Sequence, residues 1–115
     1  MKKINRLLKN KDFKNVLGNK KSVANKNYII YIKKNDLNHI RVGISVSSKI
    51  GNSVIRHKIK RQINEMLKEI VDIKDNNDVV IIVKNKYLDN DFVSNKDSLK
   101  KCFLRLREGK ENEKN

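Results

Sequence analysis

The sequence predicts an α+β fold in the order α-β-β-α-β-α, with helices packed on a mostly antiparallel sheet. Segments with apolar residues at every second position, or in short continuous runs, predict strands. Longer segments with apolar residues spaced by three and four positions predict helices. At 115 residues the chain is long enough for one domain with a single modest core.

The first half of the chain predicts a short helix followed by two paired strands. Asn10 can cap the helix, and Gly18 or Asn19 ends it. Residues 22–32 are strand-like, and Ser22–Ala24 can form a short strand of their own. Residues 40–46 alternate apolar and polar positions, as a half-buried strand does. The polar segment between these strands predicts that they form a hairpin.

The second half predicts a long helix, a buried strand and a final helix. The long helix runs from about Ser53 to Val71, and its apolar stripe contains Ile55, Ile59, Ile63, Met66 and Ile70, widened by Val54 and Leu67. Residues 78–83 form a near-continuous apolar run typical of a buried strand. The last helix covers Ser94–Arg107, with Ser94 and Asp97 as a capping box. If the strands on either side of the long helix are parallel neighbours, their connection is normally right-handed.

Positive charge is concentrated in one part of the chain. The net charge is +15, and residues 1–68 contain 18 Lys and Arg against 3 Asp and Glu, whereas residues 69–115 contain ten of each. Solubility does not require this asymmetry. A phosphate backbone favours it, because each neutralised phosphate releases condensed counterions. Nucleic acid is therefore the predicted partner, and an acidic membrane surface is the competing one.

Other classes of protein are less consistent with the sequence. Cys102 is the only cysteine, so neither an intrachain disulfide nor a thiolate metal cluster can form. Apolar runs of four or five residues are too short for a transmembrane helix. Asp89 and Asp91 form an isolated Asp-x-Asp pair, which is a weak metal signal. These features favour a reducing, cytoplasmic setting.

The densest cationic cluster surrounds a Gly51–Asn52 turn that leads into the long helix. Five cations lie there, and Glu65 is the one acid between residues 46 and 67; the cations are Lys49, Arg56, Lys58, Lys60 and Arg61. Such a cluster repels itself unless a polyanion binds it. The glycine lets the backbone turn tightly and approach a nucleic acid closely.

This segment resembles the signature of the protein subunit of bacterial ribonuclease P. The family pattern, Lys-Ile/Val-Gly-Asn-Ala-Val-x-Arg-Asn-Arg-x-Lys-Arg, is present at residues 49–61 as KIGNSVIRHKIKR. Residues 5–7, 12–13, 22–25 and 41–46 also resemble the family in order and spacing. Arg56-His57-Lys58 departs from Arg-Asn-Arg, and Lys58 lacks the bidentate fork of arginine. Leu17 replaces an aromatic residue of the first helix.

The resemblance implies an α-β-β-β-α-β-α sandwich with a left-handed crossover around the basic helix. It implies one RNA-binding domain over residues 1–107, and the charged composition of residues 108–115 predicts a disordered tail. Its partners would be a catalytic RNA subunit and precursor tRNA, whose 5′ leader the holoenzyme removes by hydrolysing one phosphodiester bond. The active site and its Mg²⁺ would belong to the RNA, so the protein would have no catalytic residue, bound cofactor or small-molecule substrate.

The resemblance also implies two binding surfaces on the protein. The surface for the RNA subunit would contain Lys49, Gly51, Asn52, Arg56, His57, Lys58, Lys60, Arg61 and Asn64. A cleft between the first helix and the sheet would bind the single-stranded leader through Arg6, Lys9, Phe13, Lys14, Leu17, Ile29 and Tyr31. Bases would stack on the two aromatic rings, which tolerates many leader sequences.

Two other functions are compatible with the charge. A ribosomal or other structural RNA-binding protein would need the same cations but no role in tRNA processing. A stand-alone basic nuclease would need a histidine with an orienting partner, and nothing in the sequence supplies one to His57. By pattern alone, Phe13 and Tyr31 are also more often core residues than ligand contacts.

Overall fold

A computed structural model describes residues 9–19 and 21–107 of the chain. Its helices are α1 (Asn10–Leu17), α2 (Ser53–Ile70) and α3 (Phe92–Arg107). Its strands are β1 (Ser22–Ala24), β2 (Tyr28–Lys34), β3 (Arg41–Val46) and β4 (Asn77–Val83). The order α-β-β-β-α-β-α is confirmed, and a short 3-10 helix at Asn85–Asp89, which the sequence patterns did not predict, joins β4 to α3. The predicted tail at residues 108–115 lies outside the described residues.

The four strands form one sheet in the order β1-β2-β4-β3. β2 is antiparallel to both β1 and β4, and β3 is parallel to β4. The predicted hairpin between β2 and β3 is therefore wrong, because β4 lies between them. β4 is buried on both faces from Asp78 to Ile81, so it needs a neighbouring strand on each edge and a layer on each face.

The connection from β3 through α2 to β4 is left-handed, as the family resemblance implies. Two bonds that flank the β2–β4 pair, Lys84 N–H to Asn27 O and Asn35 N–H to Asn76 O, show that even-numbered residues of β4 direct their amides toward β2. The odd-numbered residues, whose side chains face α2 and α3, direct their amides toward β3. Consider β4 drawn vertically, with its C-terminal end at the top and α2 and α3 in front of the sheet. The odd-numbered side chains then point toward the viewer, and the chirality of L-residues directs the amides of those residues to the right, so β3 lies to the right of β4. Seen from the helices, the chain therefore crosses leftward from β3 to β4.

The main core lies between the sheet and the helices α2 and α3. The buried stripe of α2 contains Ile59, Ile63, Met66, Leu67 and Ile70, and that of α3 contains Leu99, Cys102, Phe103 and Leu106. The predicted stripe of α2 is wrong in its first turn, where Ile55 is 38% exposed and Val54 is 73% exposed. Ile55 packs against the Gly51 turn instead, where a Cβ on the glycine would lie 2.8 Å from Ile55 Cγ2.

The caps of the helices differ from the predicted ones in two places. Lys9, not Asn10, occupies the N-cap of α1, and its side chain makes no capping bond. α3 begins two residues before Ser94, because the Asp91 carboxylate accepts the Ser94 N–H at 2.8 Å. That bond lowers the pKa of Asp91 and gives this residue of the Asp-x-Asp pair a structural role. The cap of α2 is Asn52, whose Oδ1 accepts the Ile55 N–H at 3.0 Å.

Candidate nucleic-acid interface

Helix α1 packs on the face of the sheet opposite to α2 and α3. Val16 and Val80 are fully buried there, with Phe13, Tyr31 and Ile82 packed against them. The strand register places Gly43, Val80 and Tyr31 in one row across the sheet, and α1 lies over this row. Phe13 and Tyr31 support the packing of α1, and each is only partly buried.

Gly43 lies directly beneath the Phe13 ring and makes their close packing possible. A Cβ at this position would lie 2.5 Å from Phe13 Cζ and 2.8 Å from Phe13 Cε1, well inside van der Waals contact. Glycine therefore lets the ring lie directly against the strand backbone. Sequence reasoning missed this role, although a glycine between Arg41 and Ser45 on the polar face of a strand was a visible signal.

Arg41 is a cation whose charge is already matched within the protein. Its Nε and Nη2 donate to the Asp78 carboxylate at 2.8 and 2.6 Å, and its Nη1 lies 3.6 Å from Asp12 Oδ2 on α1. Burial tends to raise the pKa of Asp78, but hydrogen bonds from Arg41 and Asn35 outweigh it and leave the pKa below the ordinary value of 3.8. The cluster joins α1 to the β3 edge of the sheet.

An open row of the sheet borders the other flank of α1. This row contains Ala24, Ile29, Ile82 and Ser45, of which Ser45 is exposed and the others are partly buried. Helical geometry places Asp12 on one flank of the buried Phe13–Val16 pair and Leu17, which is 40% exposed, on the other. We call the apolar surface formed by this row and the adjoining side of α1 the groove.

The seven predicted leader-contact residues have different positions relative to this groove. Two of them, Phe13 and Leu17, lie on α1. Ile29 and Tyr31 lie on β2, on the face of the sheet that α1 covers. Lys14 is exposed on α1, and Lys9 is exposed at its N-cap. Arg6 lies outside the described residues. Lys84 is a further cation near this groove that the sequence patterns did not predict. It lies two positions after Ile82, and its Nζ donates a hydrogen bond to Asn25 O at 2.8 Å.

The predicted surface for the RNA subunit lies on the outside of α2 and on the loop before it. Lys49, Asn52, His57, Lys58, Lys60 and Arg61 are exposed, and Gly51, Arg56 and Asn64 are partly buried. Arg56 Nε donates to Gly51 O at 3.2 Å, which supports the turn while the guanidinium keeps its charge. We call these nine residues the basic surface.

The cations of the basic surface are free to bind an anion. Within residues 9–19 and 21–107, the ion pairs involve other cations, namely Arg41, Lys68, Lys86, Lys96 and Lys101. None of the five cations around the Gly51 turn takes part in one. Their mutual repulsion is therefore not relieved by an ion pair within the described residues.

The basic surface and the groove lie on different faces of the sheet but meet at one edge. β3 ends at Val46, immediately after Ser45 of the open row, and the loop that carries Lys49 begins there. One extended polyanion, or two anionic segments held together, can therefore contact both. In the described part of the chain, no helix has the length and apolarity to cross a membrane, and no three His, Cys, Asp or Glu residues cluster as a metal site.

Comparison with known proteins agrees with these features. A family model described as Ribonuclease P matches residues 1–107. The ribonuclease P protein component of Alkaliphilus oremlandii is 46% identical over 90 residues, which cover 77% of this chain and 79% of that protein. The component from Listeria welshimeri is 43% identical over 101 residues, covering 86% of this chain and 85% of that protein.

Solved structures with the same fold include two bacterial RNase P proteins. The protein from Staphylococcus aureus superposes with a TM-score of 0.79 at 34% identity, covering 90% of this chain and 94% of that one. The protein from Thermotoga maritima superposes with a TM-score of 0.76 at 26% identity, covering 87% of this chain and 96% of that one.

Proposed function

The chain belongs to the ribonuclease P protein family, and from this membership we propose that it binds the catalytic RNA subunit and the 5′ leader of precursor tRNA. In this role it assists the endonucleolytic removal of the leader, which forms the mature tRNA 5′ end. The proposal includes a cytoplasmic location and no membrane partner. The single observation that carries it is the pairing of an unneutralised basic surface with a separate apolar groove.

Binding of the RNA subunit is assigned to the basic surface. Each Lys or Arg that neutralises a phosphate releases counterions and adds roughly 0.7–0.9 to the slope of log affinity against log salt. The Asn52 cap holds the start of α2 in place, so Arg56 and Arg61 project from a rigid helix rather than from a mobile loop. A structured RNA presents phosphates at fixed positions, and a rigid array of cations loses little entropy in binding them.

Binding of the leader is assigned to the groove beside α1. The exposed parts of Phe13 and Tyr31 offer flat surfaces on which unpaired bases can stack, with each base worth about 1–3 kcal/mol. Lys14 on the exposed side of α1 is available to a leader phosphate. Stacking does not depend on base identity, which a processing enzyme acting on many tRNA precursors requires.

The chemistry of cleavage is assigned to the RNA subunit and its Mg²⁺. His57 is exposed, and its imidazole has no hydrogen-bond partner among the residues that the structure describes. A general base needs a group that holds it in position, and this histidine lacks one. The protein then acts on affinity and specificity rather than on bond making.

Leader dependence tests the proposal against a purely structural role in an RNA–protein particle. The protein is reconstituted with a bacterial ribonuclease P RNA at low Mg²⁺, and affinities for precursor and mature tRNA are measured with and without protein. We expect the protein to strengthen precursor binding selectively, and Phe13→Ala to reduce that selectivity. A protein that binds the RNA yet leaves the precursor-to-mature ratio unchanged would be a structural RNA-binding protein instead.

A further inference from the structure

A second aromatic site lies beside the basic surface, at the start of α3. Phe92 is the first residue of α3 and is 38% exposed. It borders a cleft of about 460 Å³ whose other walls come from α2, namely Lys58, Arg61, Gln62, Asn64 and Glu65. Three of these α2 residues, Lys58, Arg61 and Asn64, belong to the basic surface.

Phe92 occupies a position that would normally be buried. It continues the inward stripe of α3 by one turn, because Asn95 and Leu99 follow at spacings of three and four and are 1% and 0% exposed. The core ends before it reaches Phe92. The ring is therefore held by a helix whose next turns are tightly packed, while much of its surface faces the cleft.

The polar groups around the ring favour an anionic ligand over a cationic one. Gln62 Oε1 accepts the Tyr87 hydroxyl at 2.8 Å, which leaves the Gln62 amide group as the donor available to a ligand. Glu65 is paired with Lys68 at 2.8 Å, so its charge is compensated. Lys58 and Arg61 have no acidic partner among the described residues, so the cleft carries net positive charge.

We propose that this cleft receives one unpaired base of the catalytic RNA subunit, with the base stacked on Phe92 and its flanking phosphates on Lys58 and Arg61. The inference rests on the proposed function and deepens it. An aromatic ring next to free cations is the combination that binds unstacked nucleotides, whereas a base inside a continuous duplex cannot present its face. The RNA subunit is the occupant because the cleft adjoins the basic surface and lies across the sheet from the leader groove.

Substitutions at Phe92 test the stacking contact in the full-length protein. Affinity for a bacterial ribonuclease P RNA is measured for Phe92→Leu, Phe92→Tyr and Val93→Ala. Loss of a stacked base weakens binding roughly 5- to 150-fold, and we expect Phe92→Leu to reach at least the lower figure. Phe92→Tyr keeps the ring and should bind within about twofold of the parent. Val93 is next to Phe92 and is 72% exposed, so Val93→Ala is the matched control and should leave the affinity for the RNA unchanged. Thermal melting of each variant is used to check that it is folded.

An Arg56→Ala and Arg61→Ala double variant separates failure of this inference from failure of the proposed function. If the double variant binds the RNA weakly while Phe92→Leu binds normally, the cleft proposal is overturned and the basic surface stands. If neither change weakens binding, both proposals are overturned. Equal losses for Phe92→Leu and Phe92→Tyr would also overturn stacking. A loss confined to precursor tRNA binding by the holoenzyme would reject the RNA subunit as the occupant.

Discussion

Replacing Gly43 by alanine is expected to damage the leader groove and to leave the basic surface intact. The added Cβ would lie 2.5 Å from Phe13 Cζ, whereas carbon atoms in contact are normally about 3.5–4.0 Å apart. The ring must therefore move by about 1 Å or more. Extra atoms in a packed site typically cost about 1–3 kcal/mol. We expect the lower half of that range, because the clash is with the end of a partly exposed ring on a short helix that can shift.

Two assays measure the consequences of Gly43→Ala. Urea denaturation should show a lower free energy of unfolding than that of the parent. In reconstituted holoenzyme, preference for precursor over mature tRNA should fall, because a displaced Phe13 no longer presents its ring to a leader base. Affinity for the RNA subunit should not change, since α2 lies on the other face of the sheet.

Matched variants make this reasoning refutable. Ser45→Ala adds no bulk on the same face of the same strand, one row away, and should be nearly neutral for stability. Combining Gly43→Ala with Phe13→Leu should recover part of the lost stability, because contacting residues do not act additively. If Gly43→Ala unfolds like the parent and keeps its precursor preference, Phe13 does not depend on this close packing and the proposed geometry of the groove is wrong.

Two further predictions concern electrostatics. Changing Arg56 and Arg61 together to alanine should weaken binding to the RNA subunit and reduce the slope of log affinity against log salt by at most about two. The pKa of Asp78 lies below 3.8 in the folded protein, so its pairing stabilises the fold above that pH and is lost as pH falls through the lowered folded-state value. Asp78→Asn should therefore lower stability at neutral pH and flatten its acid dependence, measured by urea denaturation between about pH 2 and pH 6.

Each of these two predictions has a control and a contrary outcome. Lys100 is exposed on α3 and is not one of the nine residues of the basic surface, so Lys100→Ala should leave the salt slope nearly unchanged. A slope unaffected by loss of both arginines would show that they do not contact phosphates. For the acid dependence, Asp36→Asn changes an exposed carboxylate and should have little effect. A stability profile that is the same for Asp78→Asn and the parent would contradict the pairing described here.

Local features of the fold followed from the sequence alone. Apolar periodicity identified the three helices and the main strands, because burial of one face imposes a period of 3.6 on a helix and 2 on a strand. The stripe from Ile59 to Ile70 and the buried strand β4 are as predicted. Charge distribution and the segment from Lys49 to Arg61 predicted a polyanionic partner and a surface to bind it, since both predictions depend on residue type and spacing only.

The sequence patterns did not show which distant segments lie next to each other; only the tertiary structure did. A period of two shows that a strand is half-buried but not which strand lies beside it, so the position of β4 between β2 and β3 was not predicted from the pattern. The patterns alone predicted a hairpin, and the general rule for parallel neighbouring strands is a right-handed connection. The same holds for the site. Arg41 is a free cation in the sequence and a neutralised one in the fold, because Asp78 and Asp12 reach it from β4 and α1.

Two further features depend on tertiary packing in the same way. They are the close contact of Gly43 with Phe13 and the cleft beside which Phe92 stays exposed. Each depends on how closely two elements approach, and that distance is set by the summed packing of many side chains far apart in the chain. Residue types and spacing therefore predict that certain side chains bind RNA. Tertiary packing determines which of them remain unpaired, exposed and close enough together to do so.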